Sequence, residues 1–216
     1  MESLRSEWDA ATSFAAGDVS ERWWEVVCTQ YSGEGRVFHN HSYLELLFVQ
    51  YNKYKDKLSQ PQAVACAIFF HKLEYNPRFA EDTKNKDKFE EFISAAGEGQ
   101  QDTVVSGCVR ELLAASESNL TDAHMTEGAH GDQDVHYFLD MTMAVLGESA
   151  AVYQTYARKI QAEYSHLQTN SYLVLRSKVL KSLLLMPNIY ATKDFQTERE
   201  AIARENIQAE IDNCKV

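Results

Sequence analysis

The sequence lacks any apolar run long enough to cross a bilayer. Its first residues, MESLRSEWDAATSF, are mixed polar and acidic without the apolar centre of a signal peptide. A membrane span and secretion are therefore not expected, and the chain reads as intracellular and cytoplasmic. Positive charge is also short: 21 Lys and Arg stand against 32 Asp and Glu, a net charge of −11. Such a field repels nucleic acid and anionic membrane, so neither is expected as a partner. Cysteine is sparse, and Cys28, Cys66, Cys108 and Cys214 are far apart with no Cys-x-x-Cys pair, which suits reduced, packed thiols. No stretch sustains the period-two alternation of a strand, and no linker-like composition interrupts the chain.

What is present is helical periodicity arranged around one run, PQAVACAIFFHKLEYNP, from Pro61 to Pro77. A proline at the first helical position costs no hydrogen bond and pre-sets the backbone, so Pro61 reads as a helix start. Residues 63–70 have no polar face. An all-apolar helix of this length belongs in the core, and its end delivers His71 and Lys72 into whatever cavity lies there. Before it, Asp18 or Ser20 is placed to cap a helix bearing Trp23, Trp24, Val27 and Tyr31 and closed by Gly33; a second helix carries Leu44, Leu47, Phe48, Tyr51 and Leu58. After it, surface helices are expected over 82–96, with Phe89, Phe92, Ile93 and Ala96 inward, and over 102–118, with Val104, Val105, Cys108, Leu112 and Leu113 inward. Further helical patterns cover 135–146, stopped by Gly147, then 151–167, 172–186 ended by Pro187, and 194–213. The fold class is all-α, a single-domain bundle of about eight to ten helices. Its expected organisation is an N-terminal segment 1–17, one helical domain 18–213 and a tail 214–216.

Several residues carry potential chemistry. His71 reads either as a buried histidine hydrogen-bonded to a neighbour, as a metal ligand or as a ligand-pocket residue. His39 and His41, two apart at a helix entrance, do not share a helical face and suit capping or surface roles better than chelation. Between 119 and 136 the period is lost, and His124, His130 and His136 lie among Gly, Asp and Thr. That composition invites a metal hypothesis and equally suits a solvated loop. Asp140 stands in an apolar helix and must be paired, by preference with Lys72, or else persist as a remnant ligand.

These residues fall into a recognisable order. Arg36-x-Phe38-His39-Asn40, the run FFHKLEYNP, Asn85-Lys86, Thr126 with His130, FLDMTMAVLG, YQTYARKIQAEY, RSKVLKSLLLMPNIYAT, Phe195 and EREAIARENIQAEI together resemble the predicted metal-dependent phosphohydrolases of the HD superfamily, over roughly residues 20–211. The resemblance implies an all-α HD-domain fold in which a His-Asp pair and further histidines hold a divalent ion, Mn, Mg or Zn, that activates water against a phosphate ester. His39, His71, His130 and Asp140 match that ligand set. Positions 43, 72, 86 and 142 do not: Tyr43 stands for a histidine, Lys72 for the aspartate of the pair, Lys86 for a glutamate and Thr142 for an aspartate.

A lysine offers no lone pair while protonated. About 4 Å from a doubly charged ion, at an effective dielectric of about 20, it repels that ion by roughly 8 kcal/mol. It can instead stand in for the metal's charge, close to Asp140 or another acidic group. The first reading is thus a catalytically degraded homologue, without a cofactor, acting as a binding or scaffold protein. In it Arg36, His39, His71, Lys72, Lys86 and His130 would make a basic cavity for a small phosphorylated ligand. The second is an altered but active phosphohydrolase in which His39, His71, His130 and Asp140 still hold one ion. An oligomer is compatible with either.

Overall fold

The structure is a computed structural model that describes residues 1–78, 84–97, 99–101 and 103–214. The described residues form α-helices joined by turns, and none of them lies in a strand. The chain groups into two compact units, Met1–Asn119 and Leu120–Val216, where the sequence suggests a segment 1–17, one domain 18–213 and a tail.

The first unit holds α1 (Glu2–Ala11), α2 (Gly17–Tyr31), α3 (His41–Tyr54), α4 (Pro61–Phe70), α5 (Lys84–Ala96) and α6 (Val104–Ser118). Helix α4 is the centre, as its composition requires: every residue from 63 to 70 is buried, and α1, α3, α5 and α6 pack on it. The core is aromatic. Trp8 meets Phe69 edge-on at 5.2 Å, Trp23 meets Phe92 at 5.5 Å, and Phe70 meets Phe92 at 5.4 Å. Each such side chain contributes about 1.5–3 kcal/mol by leaving water.

Helix α1 lies in the segment 1–17 that was set apart from the domain, and it buries Leu4, Trp8 and Ala11. Its sequence shows only three apolar positions at helical spacing, too short a pattern to stand out. The cap expected at Asp18 or Ser20 is also corrected. Helix α2 starts at Gly17 behind Ala16 without a side-chain cap, and Ser20 instead accepts the Trp8 indole N–H at 3.0 Å. Val104, expected inward, opens α6 on its exposed side, while Leu112 and Leu113 are buried. The starts expected for the fifth and sixth helices, at 82 and 102, lie outside the described residues.

The second unit holds α7 (Asp122–Met125), α8 (Asp134–Met143), a 3₁₀ turn Ala144–Gly147, α9 (Ala150–Glu163), α10 (Thr169–Leu185) and α11 (Lys193–Asn213). The 3₁₀ turn packs on α11 and needs its glycine. A Cβ on Gly147 would meet Arg199 Cβ at 2.5 Å and the Arg199 carbonyl at 2.9 Å, closer than real contacts allow. Asn206 seals the approach by donating to the carbonyls of Leu146 and Glu148, at 3.0 and 2.8 Å.

Candidate functional site

In the first unit the candidate residues gather where α4 ends. His71 is the residue after the helix and is 2% exposed. Its Nδ1 lies 2.9 Å from the Ile68 carbonyl, which can only accept, so Nδ1 carries the proton. The bare Nε2 then accepts from the Tyr43 hydroxyl of α3 at 2.8 Å. Burial first, and the adjacent Lys72 cation second, push the imidazole down to about 3, so the ring is neutral. The phenol proton of Tyr43 thus occupies the lone pair through which a histidine grips a metal.

Arg36 closes the same end from outside. It donates to the carbonyls of Lys72 at 2.8 Å, Leu73 at 2.6 Å and His39 at 3.2 Å, and its plane lies over the Tyr31 ring at 5.0 Å and the Tyr75 ring at 5.5 Å. A guanidinium suits this place because its forked donors meet the orphan carbonyls at a helix end while its face stacks on aromatic rings. His39 packs on Tyr75 at 4.4 Å and meets Tyr43 edge-on at 5.0 Å. Arg36, His39, Tyr43, His71 and Lys72 therefore form one cluster. On α5 the neighbour of Lys86 carries the tie: Asn85 accepts from the Glu74 N–H at 2.8 Å and donates to its carbonyl at 3.2 Å. Lys86 itself is half-buried, in electrostatic reach of Glu90.

In the second unit Asp140 is wholly buried and accepts three hydrogen bonds. They come from the Ala191 N–H at 2.7 Å, the Thr192 N–H at 2.8 Å and the Thr192 hydroxyl at 2.7 Å. The requirement that this carboxyl be paired is met by neutral donors at the start of α11, not by the ammonium the sequence suggested. Burial still pushes the group up to about 7 against the pull of these donors. Thr142 turns its hydroxyl back to the Leu139 carbonyl at 2.7 Å.

The histidine-bearing loop is not uniformly solvated. His130 is exposed, but His124 is fully buried. His124 and His136 each serve as the third residue of a capping box: Nδ1 of His124 accepts from the Thr121 N–H at 3.0 Å, and Nδ1 of His136 from the Gln133 N–H at 3.1 Å. An accepting Nδ1 puts the proton on Nε2, so neither ring offers a lone pair outward. Burial lowers both, His124 to about 4. Asn188 holds the loop by donating to the carbonyls of Ala123 at 2.7 Å and Thr126 at 2.9 Å. The spacing Thr-x-x-His and Gln-x-x-His was the signal available in the sequence, because a histidine can replace the usual Glu or Gln of a capping box.

The donors do not fit the divalent ion that the resemblance implies. Among the described residues, no group of three or more His, Cys, Asp or Glu could hold a metal ion. Both nitrogens of His71 and both oxygens of Asp140 are engaged by the protein itself. No family model, curated protein or solved structure matches the chain.

Proposed function

We propose that this chain is a metal-free relative of the HD phosphohydrolases its motifs resemble, a helical binding or scaffold protein in which hydrogen bonds have replaced the ion. The observation that carries this reading is the closed pair of bonds on His71, from Tyr43 to one nitrogen and from the other to Ile68. A buried neutral imidazole satisfied on both sides stabilises the end of α4 and has nothing to offer a cation or a substrate proton. The scaffold role is preferred to the capture of a small phosphorylated ligand. Arg36, the strongest phosphate donor of the six residues in the expected basic cavity, uses its guanidinium on three carbonyls, and His71 is uncharged.

The test is metal content, beside a chain carrying Tyr43→His, Lys72→Asp and Thr142→Asp. Purified with Mn²⁺, Zn²⁺ or Mg²⁺, the unaltered protein is expected to retain well under one ion per chain and to leave a generic phosphate ester intact. The triple variant is expected to take metal up. Stoichiometric metal with turnover in the unaltered protein would decide for the enzyme instead.

A further inference from the structure

Helix α10 exposes several of its apolar side chains. Tyr172, Arg176 and Leu180 are buried, while Val174, Leu175, Val179 and Leu185 are 57%, 44%, 45% and 83% exposed. Its charges are Arg176, Lys178 and Lys181, with no acid. The neighbouring helix is the converse: the outward side of α11 presents Ala201, Ile202 and Ala209 between the acids Glu198, Glu205 and Asp212. The two run antiparallel, since Arg176 pairs with Glu210 while Arg204 donates to the carbonyls of Leu184 and Met186. Lys181 therefore stands level with Glu205, and Leu185 level with Ala201.

We propose that these two helices form a self-association face, with α10 of one copy lying on α11 of a second about a two-fold axis parallel to the helices. The charges select that axis. A two-fold across the helices would set α10 on its own copy, with Lys178 and Lys181 against lysines and Glu205 against glutamate. The parallel axis preserves height, so Lys181 meets the second copy's Glu205, and Leu185 meets its Ala201. Val174 and Leu185 of one copy then lie beside Ala209 and Ala201 of the other, among charges of opposite sign. The helices have 17 and 21 residues. They are thus ~25 and ~31 Å long and together ~20 Å wide, so the face covers ~500 Å² per copy, at the low end for a specific interface. A weak dimer is the expected outcome. An anionic membrane is the weaker occupant for a basic apolar helix here, because the whole chain carries −11. The inference rests on the second unit alone and stands or falls separately from the metal-free reading.

Sedimentation velocity on the full chain from about 1 to 100 µM tests it. The unaltered protein is expected to pass from monomer to dimer across that range. Val174→Glu, on the same stripe as Lys181 and Leu185, and Lys181→Glu are each expected to weaken the dimer about tenfold or more with unchanged circular dichroism. Lys181→Glu combined with Glu205→Lys in one chain is expected to restore it, because each copy then presents the reversed pair. A monomer at every concentration would overturn the proposal, as would a dimer indifferent to Val174→Glu, or a double reversal no better than the single. Flotation of the monomer with phosphatidylserine vesicles would overturn it in favour of a membrane surface.

Discussion

Tyr43 and His71 share a proton-donor bond of 2.8 Å inside the first unit, with the phenol donating and the imidazole accepting. Tyr43→Phe removes the hydroxyl from which the buried Nε2 accepts, a loss of about 1–3 kcal/mol in urea unfolding with the fold retained. The nitrogen chemical shifts of His71 should report the Nδ1–H tautomer in the unaltered protein. An Nε2–H tautomer would contradict the arrangement.

Acid should destabilise the protein earlier than its carboxylates alone would. His71 sits at about 3 and His124 at about 4, both below the 6.5 of a free imidazole because burial penalises the charged ring. The unfolded chain therefore binds protons that the folded chain refuses. The fold bears no penalty from these rings above about pH 6.5 and a growing one as pH falls toward 4 and 3. Asp140 acts in the opposite direction: its carboxyl, pushed up to about 7, favours the fold more as pH drops from 7 toward 3.8. His136 and His41 are lowered in the same direction, so the rings outnumber the one carboxyl and a net loss of stability is expected as pH falls from 6 to 4.5. Urea midpoints across that range check it, and a midpoint that rises on acidification would refute it.

Asp140→Asn should be costly although it is nearly isosteric. The amide turns an N–H toward one of the backbone donors at Ala191 and Thr192, which leaves buried donors facing each other. The expected loss is about 2–3 kcal/mol, measured by denaturant unfolding. Thr192→Val, which deletes one donor of the three and the side-chain cap of α11 at Phe195, should cost about 2 kcal/mol, and the pair of changes should be less than additive.

Arg36→Lys should also destabilise, by about 1–2 kcal/mol, because one ammonium cannot reach three carbonyls and stack between two tyrosines at once. Thermal unfolding reads the loss. A role confined to binding phosphate would leave the melting temperature unchanged in the absence of ligand.

Helix α4 was legible because its signal is redundant: a proline at the start and eight consecutive apolar residues leave one structural solution. The tail helices were legible for the same reason, through long periodic runs and Pro187. Helix α1 was not, because Leu4, Trp8 and Ala11 form a single stripe on a polar segment, and only the receiving groove on α4 makes it a helix worth burying. The boundary between the two units falls where the helical period is lost at 119, but a stretch of Gly, Asp, Thr and His reads as a loop within one domain as readily as a division between two. At the candidate site the residue types were readable but their partners were not. A histidine and a tyrosine twenty-eight positions apart can coordinate, stack or share a proton, and the choice depends on where α3 and α4 cross. Asp140 shows the same limit. Its need for a partner followed from its apolar neighbours, whereas the partner, two backbone amides on a turn fifty residues later, has no side-chain signature.

The clasp of Asn188 on the carbonyls of Ala123 and Thr126, sixty or more positions earlier in the chain, fixes an order of assembly during synthesis. Residues 120–140 leave the ribosome first, and the carbonyls they hold for Asn188, like the carboxylate they hold for Thr192, stay hydrated until the stretch around 188–196 has emerged. Closure of the loop that carries His124 therefore waits on residues 188–196, and a chain truncated before residue 188 would leave these carbonyls and the Asp140 carboxylate without their donors.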